Sequence, residues 1–417
     1  MSGPEGVAPG VASRRSPWTA SPAAQGDPPA VREVYLDHAA TTPMRPEVAQ
    51  AVAEAGVRLW ANPSSVHAAG RRARVAVDGA RARLAGLLGG NPHHWVFTSG
   101  GTEANNLAVQ GAAHAAARRG KRHLLVSAVE HHSVLDAAEA LRREGWRVEH
   151  IPVGPDGCVA AADVRAALRP DTGLCCLMVA NNEVGALQPV REVAEACRAA
   201  GAVLHADAVA AAGRLPLSVD DLGADLLSVS AHKIYGPKGV GALYIRPGLE
   251  IDPLLHGGGQ ERRWRPGTEN VPGIVGFGEA AACAATELTA EGQRLRALGA
   301  ALVDAVRAAG GGAVPTGPAD WGRRLPGLAS FVFPGLDGEA LLVSLDLQGV
   351  RAGAGSACVS GSLRPSHVLL AMGLAPEAAA AALRVSLGRG SGPADIEALV
   401  AALRVALRRQ GVPAAAP

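Results

Sequence analysis

The run Leu226-Leu227-Ser228-Val229-Ser230-Ala231-His232-Lys233-Ile234-Tyr235-Gly236-Pro237-Lys238-Gly239 sets a short apolar segment directly against a lysine, among small and turn-forming residues. An apolar run of this length without strict polar alternation reads as a strand buried on both faces. The same unit recurs outward from it. His94–Thr98, Leu124–Val129, Val148–Val153, Leu174–Val179 and Val203–Ala206 precede it, and Gly241–Ile245 follows. Stretches of helical length rich in Ala, Leu and Arg lie between several of these, at Thr102–Arg119, Val134–Glu144 and Pro189–Ala200. Strands alternating with helices predict an α/β fold built on a mainly parallel sheet with both faces covered. Beyond about residue 270 the pattern changes to a separate α+β portion. It holds a long helix, Leu328–Phe333, a helix near Gly338–Leu347, a Gly/Ala/Ser-rich loop and helical segments flanking Leu383–Leu387. The first thirty or so residues are rich in Pro, Ala, Gly and Ser and lack periodicity, which predicts a disordered extension.

Composition narrows the function. The chain has 417 residues and a formal charge of only +2. Without a block of like charges, nucleic acid is not an expected direct ligand. No apolar run is long enough for a membrane span, and the segment after Arg14-Arg15 lacks the apolar stretch of an export signal, so we expect a cytoplasmic protein. The six cysteines are scattered without CxxC spacing, which predicts reduced thiols and no structural metal. Core packing is the expected role of Cys158, Cys175, Cys176, Cys197 and Cys283. The basic residues are more telling: of 40, only Lys121, Lys233 and Lys238 are lysine. Arginine stays protonated and forms no imine, whereas a lysine amine freed of its proton by its surroundings attacks carbonyls. Where charge alone suffices, this chain uses arginine, so Lys233 behind a buried strand is a candidate for imine chemistry. Lys121 and Lys238 read as surface and loop residues.

In doubly wound sheets, ligands bind beyond the carboxyl ends of the strands. Ser99-Gly100-Gly101-Thr102-Glu103 follows the first main strand and opens a helix, as a phosphate cradle or an ordinary cap. Glu130-His131-His132 ends the next and offers an imidazole to stack on a ring or move protons, or a plain core histidine. Asn181-Asn182-Glu183 and Asp207 follow two more strands, the Asp as partner for a pyridine nitrogen or as a helix cap. The loop from His256 to Thr268 carries glycines and arginines suited to an anion, or to solvent. Arg351 to Ser362 is a small-residue loop with a thiol, Cys358, that lacks the periodic apolar neighbours of a buried cysteine. Arg384 stands in an apolar strand, facing either a substrate carboxylate or a buried ion-pair partner.

Taken in order, these residues resemble the cysteine desulfurases, pyridoxal-phosphate enzymes of fold type I in the class-V aminotransferase group. The likeness runs from Tyr35-Leu36-Asp37-His38-Ala39-Ala40-Thr41-Thr42-Pro43 to Ser386-Leu387-Gly388-Arg389. It is closest at Asn62-Pro63-Ser64-Ser65-Val66-His67, Thr98 to Glu103, Asn181-Asn182-Glu183-Val184-Gly185, Ser230 to Gly239 and Gly355-Ser356-Ala357-Cys358. The long thiol loop looks like the iron-sulfur-assembly subgroup, group I. The resemblance implies a seven-stranded sheet in a large domain, residues 46–285, and a smaller α+β domain from 31–45 and 286–417. It implies that Lys233 binds pyridoxal 5'-phosphate as an imine and moves protons, Asp207 meets the pyridine nitrogen and His131 stacks on the ring. Gly101, Thr102, Ser230 and His232 would hold the phosphate, and Thr268 would reach the phosphate of a second subunit in a homodimer. Asn182 and Arg384 would bind the carboxylate of L-cysteine. Cys358 would take its sulfur as a persulfide, release alanine and pass the sulfur to an acceptor such as an iron-sulfur scaffold or a tRNA-thiolation protein, with transient iron contact at Cys358.

One position departs from that pattern: where a Gln three residues after the Asp contacts the cofactor's phenolic oxygen, this chain has Ala210. Selenocysteine lyase or another class-V enzyme is the competing activity, although an aminotransferase has no use for the thiol loop. A weakly active scaffold is the competing class, motivated by Ala210.

Overall fold

The computed structural model describes residues 32–355 and 365–412. Its strands are β1 (Val34–Tyr35), β2 (Trp95–Thr98), β3 (His123–Ser127), β4 (Arg147–Ile151), β5 (Thr172–Cys176), β6 (Val203–Asp207), β7 (Leu226–Ser230), β8 (Gly241–Ile245), β9 (Val314–Thr316), β10 (Leu328–Val332), β11 (Val350–Arg351) and β12 (Ala382–Ser386). Seven of them form one sheet in the order β2-β8-β7-β6-β5-β3-β4. Only β8 runs against its neighbours, pairing antiparallel with both β2 and β7. The expected α/β architecture with a mainly parallel sheet is therefore present.

Side-chain alternation explains why these strands read as unbroken apolar runs. Along β3, Leu124 and Val126 pack with the helices Gly101–Ala117 and His132–Arg143, while Leu125 joins the opposite layer. That second layer contains Val77 and Leu84 of the helix Ala68–Leu88 and Ile274 and Phe277 of the helix Val271–Ala309. With both faces covered, each inward residue adds roughly 1.5–3 kcal/mol of burial, and little polar alternation remains.

Strand limits fall within about two residues of the sequence expectation, except at the end of Leu174–Val179. There the strand proper closes at Cys176, yet Leu177 and Val179 still donate to the carbonyls of His205 and Asp207 at 3.0 and 2.8 Å. The chain peels away from β6 just before Asn181, which places the Asn181–Glu183 turn above the sheet edge. The later portion forms a three-stranded antiparallel sheet, β12-β10-β9, and a two-stranded parallel pair, β1-β11. Its core contains Phe331, Leu383 and Val385 with Leu399 and Leu403 of the helix Pro393–Arg409. The pair β1-β11 joins residues distant in sequence, Val34 with Val350, and neither short strand carries a local signal of its own.

Cys158, Cys175, Cys176 and Cys197 are buried, as core thiols should be, but Cys283 is half-exposed on its helix and is not a core residue. The expectation for residues 1–30 lies outside the described residues.

Candidate active site

The ends of the parallel strands open into a cleft of about 430 Å³, lined by Gly101, Thr102, His131, Asn182, Asp207, Ser230, His232, Lys233 and Arg384. Asp207 and Ser230 are the final residues of β6 and β7, and Lys233 closes the single turn Ala231–Lys233 that follows β7. Adjacent parallel strands thus deliver an acid, a hydroxyl and an amine to one edge. Two expected residues are not part of this lining. Thr268 is exposed beyond the cleft, and Cys358 lies outside the described residues.

The Lys233 amine donates to the carbonyls of Ala39 and Ala40, at 2.5 and 2.8 Å. Burial, reinforced by the positive charges of Arg384 and Arg214, lowers its pKa to about 8. A lysine with that value has a sizeable neutral, nucleophilic fraction near neutral pH.

Asp207 accepts from the backbone of Val209 and from Asn105 Nδ2, each at 2.8 Å. The same Asn105 nitrogen reaches Ser133 Oγ at 2.8 Å, and Ser133 Oγ lies 2.8 Å from His131 Nδ1. Ser133 N–H also donates to His131 Nδ1, at 3.1 Å. A ring nitrogen that accepts carries no proton, so neutral His131 bears its hydrogen on Nε2. Burial lowers the His131 pKa, and the charge on Lys233 adds to the effect against the pull of Asp207. Burial also lowers His232 to about 4, with Lys233 and Lys238 contributing. Behind the site, buried Glu130 accepts from Met178 N–H at 2.6 Å, and burial and the Asp207 charge raise its carboxyl well above the usual range.

The phosphate end can be tested on its own atoms. Ser230 Oγ is buried and has no hydrogen-bond partner among the described residues. It stands beside Gly101, the first residue of the helix Gly101–Ala117, where a Cβ would come within 3.5 Å of Ser230 Cβ and 2.9 Å of Val209 Cγ2. An unpaired hydroxyl beside free amides at a helix start suits a phosphate group, so the residues present fit pyridoxal phosphate at this end.

Arg384, in β12, has the buried ion-pair partner that was one of the two readings drawn from the sequence. Its Nη2 pairs with Asp37 at 2.8 Å, and its Nη1 donates to the carbonyls of Asn182 and Gly355 at 3.2 and 3.3 Å. Yet it also lines the cleft, and its buried Nε has no partner among the described residues. The arginine-rich loop is mainly structural: Arg265 pairs with Glu103 at 2.9 Å and Arg262 donates to the Trp95 carbonyl at 2.9 Å.

Sequence reasoning missed Asp37, Asn105, Ser133 and His367, and it gave Glu183 no role. Asn105 had a usable signal, as a polar residue three positions after Thr102 on an Ala-rich helix and hence on the same face. His367 had none, because only folding brings it to the cleft, where its Nε2 donates to the Glu130 carbonyl at 2.9 Å.

Residues 34–399 match the aminotransferase class-V family. The chain belongs to that family, whose members are pyridoxal-phosphate enzymes with this fold. Within it, the chain groups with the cysteine desulfurases. It is 45% identical to "Cysteine desulfurase IscS" of Dictyoglomus turgidum over 86% of this chain and 90% of the relative. It is 43% identical to "Putative cysteine desulfurase IscS 1" of Bacillus subtilis, over 87% of this chain and 95% of the relative. Among solved structures, a NifS-like protein superposes with a TM-score of 0.84 at 34% identity, over 91% of this chain and all of the other (100%). A NifS-like protein from Rickettsia africae gives 0.81 at 30% identity, over 90% of this chain and 100% of the other.

Proposed function

We propose that the chain is a pyridoxal-phosphate-dependent cysteine desulfurase that converts L-cysteine to L-alanine and holds the sulfur on Cys358 before passing it to an acceptor protein. The observation that carries this reading is the buried Lys233, with its pKa of about 8, beside Asp207 and the unpaired Ser230 hydroxyl in one cleft. When bound, the cofactor supplies an electron sink that loosens bonds at the substrate Cα and Cβ.

The chain's own residues supply the rest. Lys233 would hold the cofactor and return protons to carbon, Asp207 would meet the ring nitrogen, and Gly101, Thr102, Ser230 and His232 would bind its phosphate. His131 would lie against the ring with its Nε2–H directed to ligand. Arg384, with Asn182 beside it, would take the substrate carboxylate through its unpartnered Nε. The Cys358 sulfur gains an S–S bond as the substrate C–S bond breaks. The bonding pair stays with carbon, which takes up a proton to complete alanine, and the thiol becomes a persulfide.

A homodimer of two-domain subunits fits Thr268, which is exposed and so available to a second copy, and the exposed apolar residues Val57, Trp60, Val66 and Val75. An iron-sulfur scaffold or a tRNA-thiolation protein is the proposed acceptor, in the cytoplasm. Among the described residues no helix is long and apolar enough to cross a membrane.

The test is incubation with L-cysteine, alanine measurement and mass analysis of Cys358, with Cys358→Ser as control. Alanine together with 32 Da or so of added mass on Cys358 is the expected result. Transfer of the amino group to a keto acid, without alanine from cysteine, would overturn the assignment.

A further inference from the structure

Two buried polar side chains, one on the helix Gly101–Ala117 and one on the helix His132–Arg143, join the acid of the cleft to its imidazole. Asn105 is 1% exposed and Ser133 8%. Asn105 Nδ2 donates to Asp207 Oδ2 and to Ser133 Oγ, each at 2.8 Å, and Ser133 Oγ lies 2.8 Å from His131 Nδ1.

Each hydrogen in this relay has one place to go. A carboxylate only accepts, so Asp207 turns the amide nitrogen of Asn105 toward itself. One amide hydrogen then serves Asp207 and the other Ser133, whose own hydrogen is left for His131 Nδ1. That nitrogen also accepts from the Ser133 backbone N–H at 3.1 Å, so it bears no proton while both donors stay in place. The orientation has a cost, since Asn105 Oδ1 is buried without a partner among the described residues. A carbonyl oxygen left unsatisfied costs about 1–3 kcal/mol, and it persists here because the reverse orientation would set it against the Asp207 carboxylate. Burial is the main cause that lowers the His131 pKa. Lys233 after β7, His132 on its own helix and His367 on the helix His367–Ala371 add to it, and Asp207 opposes them.

We propose that Asn105 and Ser133 are positioning residues through which Asp207 sets the tautomer of His131, holding Nδ1 as an acceptor and leaving Nε2–H for the cleft. The proposal rests on the reading of Asp207 and His131 as the groups that meet the cofactor ring. Neither Asn105 nor Ser133 takes part in bond making. Protonation of Nδ1 would rob the Ser133 hydroxyl of its acceptor, so the relay also keeps His131 neutral.

The experiment is nitrogen-15 NMR of the full chain, with and without pyridoxal phosphate, labelled in its 13 histidines. The His131 signals are those that disappear in His131→Gln. In the cofactor-free wild type, Nδ1 is expected to show the shift of an unprotonated ring nitrogen. Ser133→Ala should move the midpoint of the His131 titration up by about 0.5–1 pH unit, the equivalent of one neutral hydrogen bond. Asn105→Ala should move it up by less, and should add no further shift in the Ser133→Ala background, because it acts through that hydroxyl. A purely structural Ser133 would lower the melting temperature of its variant and leave the midpoint in place. That result overturns the proposal, as does an Asn105→Ala shift that persists in full without the Ser133 hydroxyl. If Ser133→Ala does not fold, Ser133→Cys, whose thiol is a weak donor, takes its place. Pyridoxal phosphate should displace the His131 signals when it binds. Binding that leaves them unmoved would refute the ring contact, while the cofactor-free titration still decides the relay.

Discussion

On the cleft wall made by the large sheet, Asp207, Ser230 and Lys233 come from consecutive strand ends, within one stretch of chain and on one rigid support. On the facing wall, Arg384, Asp37, Gly355, Ser366 and Glu183 come from four distant parts of the sequence and hold one another. The first wall carries groups kept away from their ordinary state, with a lysine lowered toward neutrality and a hydroxyl without a partner among the described residues. The second carries groups that largely satisfy each other, with Arg384 Nε the exception among the described residues. Chemistry and stability should therefore separate on the sheet wall and travel together on the facing wall.

Lys233→Ala gives the largest expected effect, a fall of at least about 10³-fold in alanine formation with loss of the cofactor's bound absorbance. The melting temperature of the cofactor-free protein at pH 7 should not fall in parallel. Because the folded pKa of about 8 lies below the ordinary lysine value, folding disfavours the charged amine. That penalty is present below pH 8 and is relieved as pH rises from about 8 toward 10.5. Relative to Lys233→Met, the wild-type apoprotein should therefore gain stability across that window. A gap between the two proteins that does not change with pH would break the comparison.

Arg384→Ala comes next and should fail on both counts. It strips the partner from Asp37 and a donor from the Asn182 and Gly355 carbonyls. We expect about 2–4 kcal/mol lost in denaturant unfolding, with kcat/KM for cysteine down about 10²-fold. Loss of activity at full stability would show that the two walls do not differ as described.

The same contrast explains what the sequence reveals. Asp207 and Lys233 were legible because a parallel strand buried on both faces is a local signal, and the residue closing it necessarily sits at the ligand edge. The scarcity of lysine singled out Lys233 further. Asp37 and Glu183 were not legible as partners of Arg384 and Ser366, since the pairings bridge 347 and 183 residues of sequence and leave no spacing to read. For Arg384 the residue type showed that a buried partner had to exist, but not that Asp37 and an open guanidinium nitrogen would occur together. Cys283 misled because lying within a helix does not say which face a thiol occupies.

Ser230→Ala sharpens the sheet-wall argument at smaller scale. Its hydroxyl is buried without a partner among the described residues, so removal should leave the apoprotein as stable or up to about 1 kcal/mol more stable. Cofactor affinity should nevertheless fall about fivefold to tenfold, measured by equilibrium titration of the apoprotein. A side chain whose loss helps the empty protein and harms the loaded one is a ligand contact. Equal loss in both states would make it a packing residue.

Ala210→Gln is the smallest effect and the most direct probe of how complete the sheet wall is. Ala210 lines the cleft three residues beyond the strand end, following Asp207-Ala208-Val209, and it is only partly buried, so a longer side chain has room to enter the cleft. One added neutral hydrogen bond to a bound ligand amounts to about 1 kcal/mol, or roughly fivefold in cofactor retention. Because Gln would reach the ligand and not the protein, the apoprotein's unfolding midpoint should not move. Tighter retention without a stability change would mean the natural site works with one contact missing. No change in retention would mean that water or another side chain already fills that position. A fall in apoprotein stability would instead show that Ala210 belongs to the packing of the wall and was never an open place in it.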